Sequence, residues 1–72
     1  QEKKINGLQA GLRVVLLDRI QYLGQCYLAD GEISFDDRRR LHRMHDAYHT
    51  GLSGNGDLDV LMAQVDRLPL KH

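Results

Sequence analysis

Three histidines stand three and four residues apart, His42, His45 and His49, and that spacing projects them from one side of a helix. Imidazoles so arranged could converge on zinc or a related metal, but a two-histidine clamp needs a third and a fourth ligand. Asp46 falls one residue off their line, so the spacing by itself assigns no metal and no cofactor. Histidines near a helix end also pack beside an aromatic such as Tyr48 and brace the turn that follows. Arg38, Arg39, Arg40 and Arg43 form the densest positive cluster, and guanidinium groups suit bidentate capture of phosphate or carboxylate. Glu32, Asp36, Asp37 and Asp46 balance them, so the same residues also read as a solvated face with side-chain pairs such as Asp36 with Arg40. The stretch 48–57 combines Tyr48, His49, Gly54, Asn55 and Gly56. Glycines let backbone amides point outward, and a helix start just beyond them is a natural anion site. A tight turn with Asn55 or Gly56 at positive φ explains the same residues without a ligand.

Two other patterns carry less. Residues 30–37, Asp-Gly-Glu-Ile-Ser-Phe-Asp-Asp, resemble the second half of a calcium loop, but the early carboxylate positions would fall on Cys26 and Leu28. A helix end followed by a helix start accounts for all eight residues. Cys26 as a nucleophile needs a neighbouring base and a lowered pKa, whereas the C-terminal end of a helix disfavours a thiolate. A packed, inert thiol is the expectation. No Ser, His and Asp arrangement is readable from spacing, and the chain is not expected to be an enzyme.

The elements that must position these groups follow from periodicity. Leu8, Leu12, Leu16, Ile20, Leu23 and Tyr27 recur at steps of four or three and predict a helix over 5–29. Asp30-Gly31 ends it, since glycine accepts the left-handed conformation of a helix terminus. Ser34 caps the next helix, 35–49, through the amide of Asp37, and Asp36 and Asp37 complement its dipole. Phe35, Leu41, Met44, His45 and Tyr48 form its expected inner face. A glycine-rich turn occupies 51–56, Asp57 is the expected cap of a third helix over 58–68, and Pro69 stops it.

At about 1.5 Å per residue the first helix is about 37 Å long and the others about 22 and 17 Å. Leu8, Leu12 and Val15 are therefore expected to stay bare, and a bare apolar patch marks a subunit interface. The expected fold is all-α, a single domain over 1–72 with one long helix and two shorter ones packed against it, assembled as a homo-oligomer through the first helix. With 72 residues the chain has a small core, and at zero net charge, with ten Lys plus Arg against ten Asp plus Glu, it is not expected to bind duplex DNA. The longest apolar run, 14–17, is far short of the roughly 20 residues of a membrane span. One cysteine precludes an internal disulfide and suits a reducing compartment.

Leu16-Leu17-Asp18-Arg19-Ile20, then residues 30–34, Tyr48-His49, Gly54-Asn55-Gly56 and Leu68-Pro69, together resemble small holin-like proteins of phages and prophages of Firmicutes. The resemblance spans nearly the whole chain and departs at Ser53, where relatives carry glycine. It implies a phage accessory protein in the host cytoplasm, with Lys3 and Lys4 beside a membrane if a membrane helix precedes them. It implies no established activity. The expected function is non-catalytic sequestration of a small phosphorylated ligand, such as a nucleotide signal of host immunity. Arg19 and Arg43 would hold phosphate, Tyr48 would stack on a base, and His49, Asn55, Gly54 and Gly56 would supply polar contacts. The alternative is an oligomerising tail of a membrane-associated lysis or assembly protein, with the same residues bracing a turn.

Overall fold

The computed structural model of the chain describes residues 2–51, 56 and 58–71. It is all-helical. The long helix α1 (Glu2–Asp30) is followed by α2 (Phe35–Asp46), which runs on as a wider π-helical turn (Ala47–Gly51), and by α3 (Asp59–Asp66). Among the described residues the only extended pairing is an isolated parallel bridge between Ile33 and Leu70.

The helix boundaries have local causes. The first helix begins earlier than the apolar stripe requires, because Glu2, Lys3 and Lys4 are good helix formers. It closes at Gly31, whose φ of 80° lies in the region open to glycine, with its amide donating to the Tyr27 carbonyl at 3.0 Å. Ser34 then caps α2 as its spacing predicts: its hydroxyl accepts from the Asp37 amide at 3.0 Å. The second helix leaves the α form at Asp46 rather than at residue 49. The Thr50 hydroxyl donates to the Asp46 carbonyl at 2.6 Å, taking the acceptor that an α-helical amide would use, and this back-bonding bends and loosens helices. The third helix, Asp59–Asp66, is shorter than the expected 58–68. Leu58 stands at its cap position without a side-chain cap bond, and the expected cap, Asp57, lies outside the described residues. Its other end tightens as Arg67 and Leu68 donate to Gln64 and Val65, and Pro69 removes the next donor.

The core is one cluster. Ile20 from α1, Leu41 and Tyr48 from α2 and its π turn, and Leu58, Leu61, Met62 and Val65 around α3 are buried together with Ile33 from the linker. Phe35, expected on the inner face of α2, is exposed. Helix α1 approaches α3 through Gly24, where a Cβ would come within 2.7 Å of Leu61 Cδ2. The tail after α3 returns to the α1–α2 linker: Ile33 N–H donates to Pro69, Lys71 N–H donates to Ile33 at 2.9 Å, and Lys71 Nζ pairs with Asp30 at 3.1 Å.

The molecule measures 48 × 17 × 15 Å, and its long axis matches α1, whose 29 residues span about 43 Å. From residue 7 to residue 15 of α1 nothing is buried. No helix among the described residues is long and apolar enough to cross a membrane.

Candidate functional site

The end of α2 and the start of α3 bring three chemically able side chains together. Half-buried His45 is the penultimate residue of α2, His49 follows in the π turn, and Asp59 opens α3. Asp59 Oδ1 lies 3.6 Å from His45 Nε2 and 3.4 Å from His49 Nε2. The two imidazoles meet edge to face, with ring centroids 4.5 Å apart at 86°. His45 Nε2 is shut off from solvent and has no hydrogen-bond partner. Burial, then the neighbouring His49, lower the His45 pKa from its usual 6.5, which favours the neutral ring at pH 7. Asp59 is held at the helix start by its own amide, which donates to the Gly56 carbonyl at 3.2 Å. Gly56 also makes room: a Cβ there would stand 2.9 Å from Asp59 Oδ2.

His42 does not join this group. It points at the other end of α3, with Nε2 2.6 Å from Asp66 Oδ1, beside an Arg38 guanidinium that donates to the Asp66 carbonyl. The histidine face read from the sequence is thus divided between two carboxylates of α3.

Among the described residues, those expected to hold a nucleotide are not assembled into one pocket. Tyr48 is 2% exposed and belongs to the core, with its ring set edge-on to His49, so it has no open face for a base to stack on. Arg19 stands on the exposed surface of α1 with its guanidinium 5.7 Å from the Tyr22 ring centre. Arg43 lines a shallow hollow of about 220 Å³ with Asp36, Arg39 and Arg40, three of them arginines on one flank of α2. His49 and Gly56 instead serve the Asp59 group, and Gly54 and Asn55 lie outside the described residues. Cys26, expected to be packed, is exposed.

The outer face of α1 extends the bare patch expected at Leu8, Leu12 and Val15, because one helix carries two stripes. Leu8, Leu12, Val15, Arg19, Tyr22, Cys26 and Ala29 repeat at steps of four and three, and all seven are exposed. At about 100° per residue they lie on the side of α1 opposite Gly24, its contact with α3. The signal was present as a 3.5-residue period hidden beside the core stripe of Leu16, Ile20, Leu23 and Tyr27.

The chain matches no protein-family model, and no curated protein or solved structure is similar to it.

Proposed function

We propose that the protein is a non-catalytic assembly module that dimerises through the outer face of α1. The observation that carries this reading is the exposed seam: Leu8, Leu12, Val15 and Tyr22, each 56–66% exposed, in the a/d spacing of a helix that packs against another helix. The occupant this seam fits is a second copy of the chain in antiparallel orientation. In that register Leu8 faces the partner's Cys26, Leu12 the partner's Tyr22, and Val15 the partner's Arg19. Every pair then joins an a position to a d position, and the arrangement maps onto itself under a two-fold axis. A parallel pair would instead set Arg19 against Arg19, a like-charge contact at the seam. The α3 contact lies on the far side of α1, so a partner at the seam leaves it undisturbed. A specific interface buries roughly 800 Å² per partner, and α1 is the element long enough to supply that from a total surface of 5188 Å². The phage setting implied by the sequence resemblance adds a context to this reading and no mechanism.

The test is light scattering coupled to gel filtration, with oxidative cross-linking. The wild type should elute as a dimer, and Leu12→Glu should elute as a monomer with unchanged helicity. Leu8→Cys should form covalent dimers with the native Cys26 under mild oxidation, while the wild type should not. A monomeric wild type would overturn the proposal, and Cys26 cross-links in the wild type would overturn the antiparallel register.

Phosphate capture keeps a separate footing in the hollow lined by Arg39, Arg40 and Arg43. Isothermal titration with pyrophosphate should show saturable binding that Arg43→Ala weakens about tenfold, the scale of one charge-assisted bond. Absence of heat in the wild type would remove this second role.

A further inference from the structure

The geometry points to a divalent transition-metal site, zinc-like in its preferences, built by His45, His49 and Asp59. Histidine spacing alone offered three imidazoles and no carboxylate on their line; the fold turns His42 to Asp66, and the return of the chain into α3 supplies Asp59 to the other two. A four-coordinate zinc with bonds of about 2.0–2.1 Å sets neighbouring ligand atoms about 3.3–3.4 Å apart. The Asp59 oxygen stands 3.4 and 3.6 Å from the two Nε2 atoms, close to that tetrahedral edge. The 3.6 Å separation is too long for a hydrogen bond, which leaves His45 Nε2 buried with its polar valence unspent. All three ligand atoms lie within 4.8 Å of one another, and a small turn of His49, the more open of the two rings, closes the set. Two imidazole nitrogens and one carboxylate oxygen suit zinc, cobalt or iron(II) better than calcium or magnesium, which prefer oxygen throughout. The half-buried rings form the floor of the site, and the exposed Asp59 leaves the fourth position to water.

The local backbone fits this role. A π turn inside a helix is rare and is found disproportionately at functional sites, and here it carries His49. Gly56 leaves space for the Asp59 carboxylate, so a residue expected to offer a polar contact to a nucleotide becomes a positioning residue for a metal ligand.

The test is isothermal titration of tag-free protein with zinc chloride, paired with the visible spectrum of the cobalt(II) form. Expected are one metal per chain and the intense absorption of tetrahedral cobalt. Asp59→Asn and His49→Ala should each weaken zinc at least tenfold with the circular dichroism unchanged. His42→Ala, altered outside the cluster, should bind as the wild type does. The monomeric Leu12→Glu should also bind normally, so failure of the dimer and failure of the metal site are read separately. Absence of stoichiometric zinc in the wild type would overturn the proposal. So would equal losses from His42→Ala and His49→Ala, which would mark adventitious histidine binding. Variants that lower the thermal midpoint without changing zinc affinity would assign the cluster to an ion pair and overturn it too.

Discussion

A single side chain in this protein is often decided by which of two neighbours claims it. His42 and His45 differ by three residues, yet one bonds to Asp66 and the other faces Asp59, so they share a helix face without sharing a function. Ser34 shows the opposite case, a residue whose role is fixed by its immediate sequence. Its hydroxyl satisfies one of the orphan amides at the start of α2, and nothing else in the described structure replaces that bond. Ser34→Ala should lower stability by about 1 kcal/mol, measured by urea unfolding, with Ser34→Asp restoring most of it. An unchanged midpoint in Ser34→Ala would show that α2 is held by its packing alone. Ser34, Gly31 and the buried Leu41 were legible from the sequence because local spacing determines them. Tyr48 was half legible: its place on the inner face was readable, whereas its use as a stacking platform required an exposure that only the fold decides. Asp59 was not legible as a partner of His45 and His49. Ten residues and a chain reversal separate it from His49, and no periodicity reports across such a turn.

The helices differ in how much of each was readable. Helix α1 was the plainest, yet its apolar residues form two stripes, and averaging them conceals the outer one. Helix α3 is plain in its apolar spacing but short, and Leu58, Leu61, Met62 and Val65 are buried in the core. Its contact with α1 is closest at Gly24, where backbone rather than side chain meets Leu61. Gly24→Ala tests how tight that contact is. Alanine favours a helix by about 1 kcal/mol over glycine, whereas forcing a methyl into a packed seam costs about 1–3 kcal/mol. Leu61 is buried and has little freedom to yield, so the net effect should be a loss of about 1–2 kcal/mol in chemical denaturation, with α1 itself intact by circular dichroism. A stabilised Gly24→Ala would mean that α3 can slide away from α1 without penalty.

For the molecule as a whole, a small core and a long exposed helix belong together. The buried cluster uses only the C-terminal half of α1, and the other half contributes apolar surface without covering any. A domain of this size gains little from its own interior, and in the proposed dimer a partner on α1 would supply what the core lacks. Stability should accordingly rise with protein concentration, as mass action requires for a folded dimer. A thermal midpoint that climbs over a hundredfold concentration range in the wild type and stays flat in Leu12→Glu would establish that link. A flat wild-type midpoint would place all of the stability within one chain. The overall class, all-helical with one long and two shorter helices, follows from the sequence pattern. The face of α1 proposed as a seam was legible at Leu8, Leu12 and Val15, whereas its continuation through Arg19, Tyr22 and Cys26 required knowing which side of α1 the core had already taken.

The parallel bridge between Ile33 and Leu70 has a mechanical consequence. Traction applied along the two ends of the chain reaches Ile33 from its N-terminal side and Leu70 from its C-terminal side. In a parallel pair those pulls run in opposite directions along the pair, so the two backbone bonds of Ile33 are sheared together rather than peeled one at a time. The segment between them, α2 with α3, is thereby shielded from tension until the tail slips. A protein whose long helix is gripped by a second copy would keep its compact head folded under load, with the tail acting as the fuse.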